Sequence, residues 1–213
     1  MSRLRLNKIA TPATPAASKG ELFYSNTLSP ASLAWIDENG KVVRGGGQWV
    51  NSATTAVGGG FAADTYMTGT NVNIGTAGVW QAGMIYEAHF DMTKTAAGTA
   101  GPVVTVRLGT AGTTADTARL TLTGQAQTAA ADTGIFVVTV QFRAVGASAV
   151  IAGGFHMFHN LATTGLTSGA QVSTNTGASS TFDSSTSNII GISFNGGTSF
   201  VGTNVYCHGR LIL

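Results

Sequence analysis

Residues 84–92, Met-Ile-Tyr-Glu-Ala-His-Phe-Asp-Met, alternate with a period of two. Met84, Tyr86, Ala88, Phe90 and Met92 fall on one side of an extended chain, and Ile85, Glu87, His89 and Asp91 on the other. A helix would scatter both sets around its circumference, so the segment can bury one coherent face only as a β-strand. The same rule recurs down the chain. Residues 102–109 put Val104, Val106 and Leu108 inward, and residues 118–124 put Leu120 and Leu122 inward. Residues 135–143 bring Phe136, Val138, Val140 and Phe142 together. Residues 149–160 read as a long strand bent at Gly153-Gly154, since glycine inside a strand marks a bend or a close approach. Residues 188–200 read as a strand followed by an Asn195-Gly196 turn, and residues 203–213 as one closing strand. No stretch sustains a 3.6-residue apolar period with caps. Short strands at this spacing with no helix between them predict an all-β fold, an antiparallel β-sandwich (jelly-roll-like) over residues 48–213.

The first 47 residues obey different rules. Residues 10–20, Ala-Thr-Pro-Ala-Thr-Pro-Ala-Ala-Ser-Lys-Gly, favour extended backbone and supply nothing for a core. Residues 1–20 therefore read as an extended N-terminal arm that gains order by lying on a partner. Residues 21–25, 33–37 and 41–44 are β-type runs, the last two joined across Asn39-Gly40, a strong hairpin signal because both residues tolerate positive φ. Phe23, Leu33, Trp35 and Val42 are expected to share one apolar layer. Residues 21–47 thus form a small β-hairpin unit ending in the Gly45-Gly46-Gly47 joint. A unit of this size must rest on something else.

Charge is scarce: Asp, Glu, Lys and Arg make up 9% of the 213 residues, against roughly 25% in ordinary soluble domains. Threonine, serine, asparagine and glycine cover the surface instead, which suits a protein that packs against copies of itself because few charges need desolvating. Of 11 basic and 9 acidic residues, Arg3, Arg5, Lys8 and Lys19 lie in the arm with no acid, leaving seven against nine elsewhere. The body has no basic stripe with interleaved aromatics, so nucleic acid is not an expected partner. No apolar run is long enough for a membrane span or a signal peptide, and the single cysteine, Cys207, implies no disulfide.

Chemistry-bearing residues do not assemble into a known motif. Glu87, His89 and Asp91 form the one same-face row of titratable groups, but side chains at i, i+2 and i+4 stand about 7 Å apart along a strand, too far to share a metal without other ligands. The row reads as the outer face of a half-buried strand or as part of a subunit interface. His156 and His159 fall on opposite faces, as do Cys207 and His208. Trp80, Tyr66 and Tyr86 could touch host-surface sugars if exposed, although core packing accounts for each. The triplet Ala-Asp-Thr recurs at 63–65, 115–117 and 131–133, where Asp and Thr can bond nearby backbone N–H groups at turns. No catalytic residue, cofactor site or metal site is expected, and the chain reads as a non-enzyme.

Residues 10–45, with Leu33-Ala-Trp35-Ile-Asp37-Glu-Asn-Gly40 at their centre, resemble the N-terminal attachment segment of phage head-fibre and tail-fibre proteins. Residues 84–124, 128–146 and 188–197 also resemble a phage virion family. The resemblance implies a trimeric jelly roll on the exterior of a virion assembled in the host cytoplasm. It implies a capsid decoration protein or head fibre, anchored to the major capsid protein by its arm, or alternatively a short tail fibre that meets a host receptor. Arg3, Arg5 and Lys8 of the arm, with Phe23, Tyr24 and Trp35 of the hairpin unit, are the partner-binding candidates.

Overall fold

The computed structural model describes residues 60–75, 77–161, 163–169 and 172–212, together with five strands before them. These are β1 (Lys8–Ile9), β2 (Glu21–Ser25), β3 (Ser32–Ile36), β4 (Val42–Arg44) and β5 (Gln48–Ala53). The chain divides into two compact units, residues 1–48 and 49–213.

In the first unit β1 to β4 form a four-stranded sheet in sequence order. Lys8 and Ile9 of the arm add an edge strand parallel to β2, opposite Tyr24 and Ser25. β2, β3 and β4 pair antiparallel. The register sets Phe23 opposite Ala34, and Trp35 opposite both Leu22 and Val43. The side chains of Phe23, Leu33, Trp35 and Val42, expected to share one apolar layer, lie outside the described residues. The Asn39-Gly40 turn lies outside the described residues.

The second unit continues with β6 (Thr65–Tyr66), a 3₁₀ turn at Thr68–Thr70, β7 (Val72–Asn73), β8 (Ile85–Ala96), β9 (Val103–Gly109), β10 (Thr117–Thr123) and β11 (Asp132–Ala144). A second 3₁₀ turn at Gly146–Ser148 precedes β12 (Val150–His159), β13 (Val172–Ala178), β14 (Ile189–Asn195), β15 (Val201–Thr203) and β16 (Cys207–Ile212). One sheet runs β13-β12-β11-β8-β16-β5, with β15 also on β8; the other runs β10-β9-β14-β6, with β7 also on β14. The chain crosses repeatedly between them. The orders β5-β16-β8-β11 and β6-β14-β9-β10 interleave as in a jelly roll, and β12 and β13 widen the larger sheet as a meander. The fold is an all-β antiparallel sandwich.

The alternating segments bury the faces their period assigns. Met84, Tyr86, Ala88, Phe90 and Met92 are inside, as are Val104, Val106 and Leu108, Leu120 and Leu122, and Phe136, Val138, Val140 and Phe142. The sheets meet through an aromatic cluster. Phe90 stacks on Phe136 at 4.8 Å within the larger sheet, and Phe194 of the smaller sheet meets both edge-on at 5.6 and 5.2 Å. Each such ring removed from water contributes about 1.5–3 kcal/mol.

Two strands depart from expectation. β12 runs through Gly153 and Gly154 with unbroken pairing to β11 and β13. A Cβ on Gly153 would lie 2.0 Å from the Thr139 carbonyl oxygen, so these glycines permit close strand approach. The closing segment is a strand only from Cys207 onward. Asp91 breaks it: its Oδ1 accepts hydrogen bonds from the Val205 and Tyr206 N–H groups at 3.0 and 2.7 Å and from Asn204 Nδ2 at 2.7 Å. This pins a connection between β15 and β16.

Candidate functional site

Period-two alternation gives every strand of the larger sheet an outward set of side chains as well as an inward one. Strand order then lays the outward sets side by side. Register pairs His156 with Val137, Val137 with His89, and His89 with His208, so three of the four histidines lie in one row across β12, β11, β8 and β16. The next row toward one end is Phe158, Ile135 and Asp91. The next toward the other is Gly154, Thr139, Glu87 and Arg210. The Glu87-His89-Asp91 row seen in the sequence is thus the middle of a broad sheet face.

Large apolar residues stand exposed on this face among Thr133, Thr139 and Gln141. Ile135 is 51% exposed and Phe158, directly opposite it, 47%. β15 adds Val201 at 48%, and its connection to β16 adds Val205 at 56% and Tyr206 at 44%. Among the described residues, these are five of the six large hydrophobics left exposed; the sixth, Val79, lies elsewhere. Scattered exposed hydrophobics are ordinary, but their collection on one face is a signature of an interaction surface.

The charges at the centre of the face are already committed, while Arg143, on the same side of β11, is exposed. Arg210 Nε donates to Glu87 Oε2 at 2.5 Å, and its guanidinium forms an ion pair with the same carboxylate. Asp91 is occupied by the β15–β16 connection. The His89 and His208 rings stand edge to face at 6.3 Å, and His156 lies against Phe158 at 6.5 Å. Burial is the main cause that lowers the His89 pKa, with Glu87 opposing it and His208 and Arg210 reinforcing it. Among the described residues, no three His, Cys, Asp or Glu side chains are placed to hold a metal ion.

A second polar cluster lies inside the sandwich. Lys94, Asp132 and His159 are all buried. Lys94 Nζ donates to the carbonyls of Gly98 (2.6 Å), Gly165 (3.4 Å) and Thr128. Asp132 sits opposite Lys94 in register and accepts from His159 Nδ1 at 2.6 Å and Leu166 N at 3.0 Å. Burial lowers the Lys94 pKa, and Asp132 partly restores it. The cluster ties three loops to one end of the sandwich. A signal for it existed: Lys94, Asp132 and His159 occupy inward positions of their strands by simple counting from Met92, Phe136 and Met157.

The remaining candidates resolve as follows. Trp80, Tyr66 and Tyr86 are core residues, with the Trp80 indole N–H donating to the Ser187 carbonyl at 2.8 Å, so they are not available to a surface sugar. Cys207 is buried, and burial pushes its thiol up to about 12, far from a thiolate nucleophile at neutral pH. Two of the three Ala-Asp-Thr triplets cap backbone: Asp116 accepts from Thr110, Ala111 and Gly112, and Asp132 from Thr133. Asp64 of the third instead pairs with Arg107 at 2.5 Å. His156 and His159 do take opposite faces, one exposed and one buried. Of the arm and hairpin candidates, Arg3 and Arg5 lie outside the described residues. In backbone register Lys8 stands opposite Tyr24 and Phe23 opposite Ala34; the side chains of these candidates lie outside the described residues.

Fold and face together define an antiparallel β-sandwich with one broad, weakly charged, partly apolar sheet surface. No protein-family model matches the chain, and no curated protein sequence matches it significantly.

Proposed function

We propose that this chain is a non-enzymatic structural protein of a bacteriophage particle, a trimeric capsid decoration or head-fibre protein. Its first unit grips the shell, and its sandwich projects outward and associates with copies of itself. The observation that carries this reading is the gathering of exposed apolar residues on the outer face of the seven-stranded sheet, in a chain with so little charge. The likeness of residues 10–45 to fibre attachment segments supports the docking role of the first unit. Three linked arms would bind with avidity, because the second and third dock at high effective concentration.

Immunogold labelling of purified particles tests the placement. Gold on the head supports the proposal; gold confined to the tail points to a short tail fibre, and unlabelled particles contradict both. Removal of residues 1–47 should leave a folded sandwich that no longer binds particles.

A further inference from the structure

His89 of β8 and His208 of β16 stand directly opposite each other in antiparallel register. Side chains so placed share one face of the sheet and start from Cβ atoms about 4.5–5.5 Å apart. The two imidazoles meet edge to face, with ring centroids at 6.3 Å and planes at 88°. Both residues are half-buried. The other ionisable groups around them have partners: Glu87 holds Arg210, and Asp91 holds the β15–β16 connection. The two rings differ. Among the described residues, none hydrogen-bonds to a nitrogen of either one.

Two adjacent imidazoles with unshared nitrogens make a chelating unit for Zn²⁺, Ni²⁺ or Cu²⁺, the divalent ions that imidazole suits. A tetrahedral ion about 2.0–2.1 Å from one nitrogen of each ring sets the ring centroids about 5 Å apart. Closing the pair from 6.3 Å takes about 1 Å of ring movement, which the χ torsions of the two side chains can supply. The local charge favours a cation. Glu87 and Asp91 flank His89 on β8, against Arg210 beside His208 on β16. Each carboxylate lies about 7 Å along the strand from His89, so it keeps its present partner and water completes the coordination. Burial, the main cause of the low His89 pKa, favours the neutral imidazole that a metal requires. His156 belongs to the same row, but Val137 of β11 stands between it and His89. Two strand spacings, about 9.5 Å, put it outside the chelate. We infer that His89 and His208 form a two-histidine site for a divalent transition-metal ion on the outer face of the larger sheet. The site is complete within one copy, so it does not depend on self-association.

Calorimetric titration of the untagged full chain with Zn²⁺ at pH 7.5, in a buffer that does not bind metal, tests the site. The wild type should take up one Zn²⁺ per chain. His89→Gln and His208→Gln should each weaken binding at least about tenfold, because losing one arm of a chelate removes the high effective concentration of the other. His156→Gln should leave the affinity within about twofold of wild type, since a ligand outside the chelate adds no such gain. Circular dichroism checks that each variant is folded. If His89→Gln or His208→Gln does not fold, pulsed electron paramagnetic resonance of the wild type with one equivalent of Cu²⁺ gives the answer instead. Modulation from two imidazoles supports the pair, and modulation from one or none overturns it. A wild type that takes up no Zn²⁺ would overturn the site. So would binding left unchanged by both single substitutions, or weakened equally by His156→Gln.

Discussion

Four aromatic rings converge on Phe194: those of Phe61, Phe90, Phe136 and Phe200, at 5.2 to 5.9 Å. Truncation there leaves a cavity between the sheets that neighbouring strands cannot close, so Phe194→Ala should cost about 3–5 kcal/mol in urea unfolding. Asp132→Ala should cost a similar amount, about 3–5 kcal/mol, because it takes away the acceptor of the His159 Nδ1 bond and the counter-charge of the buried Lys94 ammonium. Glu87→Gln, which breaks a partly exposed ion pair, should cost no more than about 1 kcal/mol. His89 sets a pH dependence of definite sign. Its folded pKa lies below 6.5, so between the two values the unfolded chain holds more protons, and stability rises with pH through that window. Chemical denaturation below about pH 6.5 should show stability falling for wild type and falling less for His89→Gln. Residue by residue, facing was readable from alternation alone. What escaped was partnership: counting places Lys94, Asp132 and His159 inward, but only register brings the lysine opposite the aspartate.

The strands themselves were largely legible, because a period of two over seven or more residues admits no other element. The exceptions are instructive. The closing segment reads as continuous from residue 203, yet Asp91, more than a hundred residues earlier, captures Val205 and Tyr206 and postpones the strand to Cys207. No local pattern at 203–213 records that capture. Asp91→Ala would leave these exposed N–H groups to water, at a cost of about 0.5–1.5 kcal/mol. Hydrogen exchange should then speed up at Val205 and Tyr206, with the core strands β8 and β11 unchanged. The glycines of β12 were read as a bend, whereas the approach of neighbouring carbonyls explains them.

Over the whole molecule, the outer face of the larger sheet is a property of strand order. Each strand displays its own polar or apolar outward set in the sequence, but Phe158, Ile135 and the three histidines become neighbours only because β12, β11, β8 and β16 lie side by side. The scarcity of charge signalled self-association without saying where. The most direct measurement is carbene footprinting of the full chain across a concentration series at pH 7.5, read at single residues by mass spectrometry. Ile135, Phe158 and Tyr206 should become protected together as concentration rises, while Val79, exposed elsewhere, stays equally labelled. Labelling of those three side chains that does not change with concentration, in a sample shown to have oligomerised, would contradict burial of this face between copies.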